Sequence, residues 1–128
     1  MHNAVNWFEI YTDDFSRAKR FYTEVFQCTL TDMHMHSPRH AHMDYALFPG
    51  GAEDGSGAGG ALVWLKEVKP GGGGTLVYFA TQEIHAELSR VEAAGGKVLR
   101  SKTAIGEAGF IALVEDTEGN VIGLRSQR

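Results

Sequence analysis

The chain is poor in the features that would place it outside ordinary globular proteins. Its 128 residues contain one cysteine, Cys28, so no internal disulfide is possible. That fits a reducing compartment, and a cytoplasmic protein is expected. Cys28 has no cationic neighbour in sequence to activate its thiol, and it reads as a small core residue after the first helix. No apolar run is long enough to cross a bilayer, so no membrane partner is expected. The first six residues lack a basic segment followed by an apolar one, so no secretory signal is expected. No run of Lys or Arg stands out, and the formal net charge is −4, which argues against nucleic acid as the main partner. The apolar content is ordinary, and the length suits one domain with a real core but not two independent ones.

What is present is organised around Val5 to Phe26. Alternation puts Phe8 and Ile10 on one face of a strand and Trp7, Glu9 and Tyr11 on the other. Asp13 or Asp14 then supplies a helix N-cap. Phe15, Ala18, Tyr22 and Val25 recur at helical spacing, with Phe21 and Phe26 widening the stripe. The same order returns later in the chain. Superposing the two stretches places Trp7 on Leu76, Phe8 on Val77, Ile10 on Phe79, Asp14 on Glu83 and Phe15 on Ile84. This is an internal repeat.

After the first helix, Cys28 to His36 alternates as a strand, Ser37-Pro38-Arg39 marks a turn, and His40 to Pro49 reads as the returning strand. On that strand Met43, Tyr45 and Leu47 share a face. Gly50 to Gly60 reads as a flexible loop leading into a strand at Ala61 to Val68. Module one then spans about residues 1–69, a glycine-rich linker 70–74, and module two 75–128. In the second module a strand at Thr75 to Thr81 precedes a helix from Glu83 to Ala94, stopped by Gly95-Gly96. Strands at Lys97 to Thr103, Phe110 to Glu115 and Val121 to Ser126 complete it, the last two joined by a tight turn. Each unit is βαβββ. Such a sheet carries its helix on one face, and two units can close their open faces around a shared concavity suited to a ligand.

The segments D-D-F-S-R-A-K-R-F-Y-T-E-V-F, G-G-A-L, A-A-G-G-K-V and E-D-T-E-G-N-V-I-G-L, in this order and spacing, resemble the vicinal oxygen chelate superfamily. Its members include glyoxalases, dioxygenases and bleomycin-resistance proteins. The resemblance implies an α+β fold of two βαβββ modules with mixed sheets enclosing a concave cavity, often in a homodimer. In metal-using members, His, Gln or Glu side chains from strands of both modules hold a divalent ion. The corresponding positions here are Trp7, Leu76 and Gly123, with a fourth inside Gly60-Ala61-Leu62. None of these side chains can coordinate a divalent cation, so no cofactor is expected at the usual place.

Three groups remain as sources of function. Trp7, Glu9 and Tyr11 share the pocket face of the first strand, and Val121, Gly123 and Arg125 share that of the last. With Leu76 and Tyr78, and leaving out Val121, these form the expected ligand-binding set, and Glu9 is the candidate catalytic residue. The bland alternative is that Glu9 and Arg125 pair with each other or with solvent at the rim. Second, a three-residue turn at Ser37-Pro38-Arg39 would set His36 opposite His40 and His34 opposite His42. Cross-strand Cβ atoms about 5 Å apart allow imidazoles to share a metal, though four polar residues on an exposed hairpin is the plainer reading. Third, Trp64, Tyr78 and Phe110 are either core or stacking surfaces. Two functions follow. One is a small-molecule-binding protein without the family's metal. The other is a lyase- or isomerase-type enzyme acting on a small polar or anionic substrate.

Overall fold

The computed structural model describes residues 7–33, 42–50, 57–66, 68–71, 76–105 and 109–128. The first unit comprises β1 (Trp7–Tyr11), α1 (Phe15–Phe26), β2 (Thr31–Met33), β3 (Asp44–Leu47) and β4 (Gly59–Trp64). The second comprises β5 (Tyr78–Ala80), α2 (Ile84–Val91), β6 (Lys97–Ala104), β7 (Phe110–Glu115) and β8 (Val121–Ser126). The sheets have matching orders, β1-β4-β3-β2 and β5-β8-β7-β6. In each, the strand before the helix pairs parallel with the last strand of its unit, and the other pairs are antiparallel. The repeat read from the sequence is therefore a repeat of topology.

Local chemistry explains the elements. The Asp14 carboxylate accepts from the Arg17 N–H at 3.0 Å, which settles the choice of N-cap. Ala18, Phe21, Tyr22 and Val25 of α1 are fully buried, while Phe15 and Phe26 are half-buried at the margin of the stripe. α2 buries Ile84 and Val91. With them the inward residues of both sheets, Ile10 and Leu62 from the first and Ala112, Val114, Ile122 and Leu124 from the second, form one continuous core. The two helices pack on each other, so the modules meet through their helix-bearing sides. The opposite sheet faces remain open, with Trp7 46% and Tyr78 45% exposed.

Several boundaries differ from the sequence reading: β2 begins at Thr31 rather than Cys28, β3 ends at Leu47 rather than Pro49, β5 is Tyr78–Ala80 rather than Thr75 to Thr81, and β4 and α2 differ as well. β4 begins inside the expected loop, at Gly59, because Gly59 and Gly60 lie opposite Trp7 and Phe8 in the parallel ladder. A Cβ on Gly60 would stand 2.5 Å from the Phe8 ring, so glycine is there for close approach rather than flexibility. β4 ends at Trp64, not Val68: Leu65 and Val68 bridge each other across a turn, which takes the chain out of the sheet. α2 ends at Val91, and the Gly96 N–H donates back to the Val91 carbonyl at 2.9 Å.

The turn between β7 and β8 ties the modules together. Glu118 accepts from the Asp13 and Asp14 N–H groups at 3.0 and 2.7 Å and from the Arg17 guanidinium fork at 2.8 and 3.0 Å. Burial opposes ionisation of Glu118. Arg17, the two N–H groups and the Thr117 hydroxyl outweigh that and hold its carboxyl down at about 2. Beside it, the buried Tyr22 hydroxyl donates to Asp116 at 2.8 Å, and Asn120 donates to the Tyr11 carbonyl at 2.8 Å. The end of β1 and the start of α1 are thus held by the other module. That fixes where β1 presents its open face.

Candidate functional site

Alternation along β1 sends Phe8 and Ile10 into the core and leaves Trp7, Glu9 and Tyr11 on the open face. Ladder register builds the surroundings. Tyr11 lies beside Val63, which lies beside Tyr45, and Glu9 lies beside Ala61, which lies beside Leu47. Tyr45 is thus two strands from β1, and the small side chain of Ala61 leaves room for it to reach across. The Tyr45 hydroxyl donates to Glu9 Oε2 at 2.7 Å, the Tyr11 hydroxyl donates to Glu9 Oε1 at 2.6 Å, and the Trp7 indole N–H donates to the Tyr45 hydroxyl at 3.2 Å. Each carboxylate oxygen therefore holds one tyrosine.

The protonation pattern is coherent. The hydrogen bond to Glu9, reinforced by burial and by the negative charge of Glu9, pushes Tyr11 up to about 12. Burial, then the bond to Glu9, raises Tyr45 as well, against a lowering by the Trp7 N–H. Both hydroxyls are donors at neutral pH. The carboxylate keeps further acceptor capacity on each oxygen, toward the open side of the sheet. What results is an ordered acceptor set among three aromatic rings. It can orient a hydrogen-bond donor or a cation, or accept a proton.

The expected site residues fall into groups. Trp7, Glu9 and Tyr11 are together on the first sheet. Tyr78 and Gly123 are together on the second, where they are register partners and the Tyr78 ring occupies the space a Cβ at 123 would need. Arg125 is one step along the same face, exposed and opposite Ala80. Glu9 and Arg125 do not pair, and among the described residues Arg125 forms no ion pair. Leu76 precedes β5 and, together with Tyr78, lines a 630 Å³ cavity on the helix side of the first sheet. Tyr45 is the partner that sequence reasoning did not connect to Glu9; its face was legible, its neighbour was not.

The remaining aromatic candidates are dispersed. The Trp64 ring lies 5.5 Å from that of His42, and Lys102 sits 4.6 Å over the Phe110 ring. Of the histidine hairpin, His34, His36 and His40 lie outside the described residues. His42 has its Nε2 at 3.1 Å from Asp44 Oδ1. Burial pushes the Cys28 thiol up, in keeping with a packing role.

The positions that would hold a divalent ion offer an indole at Trp7, an alkyl group at Leu76 and a hydrogen at Gly123. On β4, Ala61 shares the open face and Leu62 points into the core. This donor set does not fit a hard or borderline cation. Among the described residues, no three His, Cys, Asp or Glu side chains are grouped to share an ion.

Comparison with known proteins agrees with this architecture. The sequence model of the Glyoxalase/Bleomycin resistance protein/Dioxygenase superfamily matches residues 4–124. The glyoxylase-like protein CFP32 of Mycobacterium bovis is 28% identical over 127 residues, covering 93% of this chain and 44% of that protein. The chain thus spans less than half the length of that curated relative. Among solved structures, the antibiotic binding protein TnmS3 from Streptomyces sp. CB03234 is 25% identical, with a TM-score of 0.65 over 97% of this chain and 95% of that one. A glyoxalase-related enzyme from Fulvimarina pelagi is 19% identical, with a TM-score of 0.66 over 97% and 88%. With the match running almost end to end and the paired βαβββ topology in place, the chain belongs to the Glyoxalase/Bleomycin resistance protein/Dioxygenase superfamily.

Proposed function

We propose that this chain is a small-molecule-binding protein that uses no divalent metal and holds its ligand on the open face of the first sheet, against Trp7, Glu9, Tyr11 and Tyr45. The observation that carries the reading is the state of Glu9. Both its oxygens are held by tyrosine hydroxyls in a setting of rings, while the positions from which a metal would be held carry no donor. Such a surface orients a ligand by stacking and one polar anchor, with no group placed to activate water on an ion. The likeness to a solved antibiotic binding protein supports the same reading. The working unit is a homodimer. The half-exposed rings of Trp7 and Tyr78 lie on open sheet faces that a two-fold partner would cover.

A second reading rests on Arg125. An exposed guanidinium with no carboxylate partner among the described residues, on the open face of the second sheet, suits a small anionic substrate. Glu9 would then serve as the proton acceptor of a lyase- or isomerase-type reaction.

A thermal-shift panel of aromatic antibiotics and small metabolites on wild type and Glu9→Gln separates these. The binding reading expects a ligand that raises the melting temperature of wild type, does so equally after dialysis against a chelator, and is recovered chemically unchanged. The shift should shrink in Glu9→Gln. Recovery of a converted product sinks the binding reading in favour of the enzyme. Abolition of binding by the chelator sinks the metal-free claim.

A further inference from the structure

We infer that the 630 Å³ cavity on the helix side of the first sheet is a second ligand site, for an aromatic or branched apolar body that carries a protonated amine. It is separate from the Glu9 face, because Phe8, which lines it, projects from β1 opposite to Trp7 and Glu9. Its volume lies in the range of small-molecule pockets. Rings form its wall: Phe8, Phe26 and Phe48 line it with Phe79, whose centroid is 5.7, 4.8 and 5.5 Å from theirs.

Among the described lining residues one side chain is charged, Glu87 of α2. Its Oε2 is buried with no hydrogen-bond partner among the described residues. Arg90 forms an ion pair with the other oxygen only, its Nη2 at 3.9 Å from Oε1 and beyond hydrogen-bond reach, and its Nε is committed to the Val25 carbonyl at 2.9 Å. A buried carboxylate oxygen without a donor is a group whose partner has not been supplied. An ammonium would turn it into a charge-assisted bond while the phenylalanine faces receive the apolar body.

The free edge of the second sheet adds acceptors. Among the described residues β5 has β8 as its one neighbour. The Val77 carbonyl and the Thr81 N–H point to β8, so alternation turns the peptide groups of Tyr78 and Ala80 the other way. Both residues line the cavity. No described lining residue carries positive charge, so an anion of the same shape is disfavoured.

Tryptamine and its matched acid, indole-3-propionate, test the inference on the full chain by isothermal titration. Tryptamine should bind saturably, and the acid should bind at least about tenfold more weakly. Glu87→Gln should remove that preference, and Glu9→Gln should leave it intact. A readout that needs no variant comes from Cys28, which lines the cavity and is the chain's one cysteine. Saturating tryptamine should slow its alkylation by N-ethylmaleimide, and the acid should not. The inference is overturned if tryptamine fails to bind, if amine and acid bind alike, if Glu9→Gln rather than Glu87→Gln abolishes binding, or if bound tryptamine leaves the alkylation rate unchanged.

Discussion

Replacing Glu118 with Gln should destabilise the protein and flatten its response to acid. The side chain of Glu118 is fully buried and accepts five hydrogen bonds, two from Arg17, two from the backbone that opens α1 and one from Thr117. Its carboxyl sits at about 2 against an ordinary 4.5. That difference corresponds to about 3 kcal/mol of folding free energy. The sign follows from the direction of the shift. A carboxyl depressed in the folded state contributes fully above its unfolded value and loses the contribution as pH falls through its folded value. Wild type should therefore lose about 3 kcal/mol from this group between about pH 5 and pH 2. Asp116 acts oppositely, since burial raises it despite its bonds to Asn120, Tyr22 and the Glu118 N–H. The comparison with Glu118→Gln isolates the one group. Urea unfolding at a series of pH values, followed by circular dichroism, reads both effects. Expected are a variant about 2–4 kcal/mol less stable at pH 7 and a gap that closes as pH falls toward 2. Parallel curves, or a variant within about 0.5 kcal/mol of wild type at pH 7, would refute the clamp.

Three further substitutions probe other links. Gly60→Ala places a Cβ against Phe8, a ring held by Phe48 and Phe79, and should cost about 1–3 kcal/mol in urea unfolding. Tyr22→Phe deletes a donor to Asp116 inside the core and should cost about 1–3 kcal/mol by the same measurement. Tyr45→Phe removes one of the two donors to Glu9 on an open face, so stability should change by no more than about 0.5 kcal/mol. Ligand affinity in Tyr45→Phe should fall about tenfold by titration calorimetry.

Short-range signals were the legible part of the chain. Period-two alternation placed Trp7, Glu9 and Tyr11 on one face, and the helical stripe from Ala18 to Val25 picked out the residues that α1 buries. The strands Phe110–Glu115 and Val121–Ser126 fall where their turn residues predict. What failed depends on contacts between distant residues. Gly59 and Gly60 look like loop because nothing local reveals the rings they must admit. Tyr45 was placed on a strand face, but its bond to Glu9 follows only from the order β1-β4-β3. Glu118 looked like one residue of a tight turn; its partners lie at the far end of the chain, at Asp13, Asp14 and Arg17. The unpartnered oxygen of Glu87 is likewise invisible until the helix is docked.

The central claim is that a small molecule binds at Glu9 and leaves unchanged. The chain has two tryptophans, and Trp7 donates into the Glu9 cluster. A Trp64→Phe variant keeps Trp7 as the one indole, so its emission reports on that face alone. Titrating this variant with the best hit of the thermal-shift panel should quench or shift Trp7 emission to saturation, and adding Glu9→Gln should weaken the response about tenfold. Binding that leaves Trp7 emission untouched, or that persists at full strength in the double variant, would contradict the account.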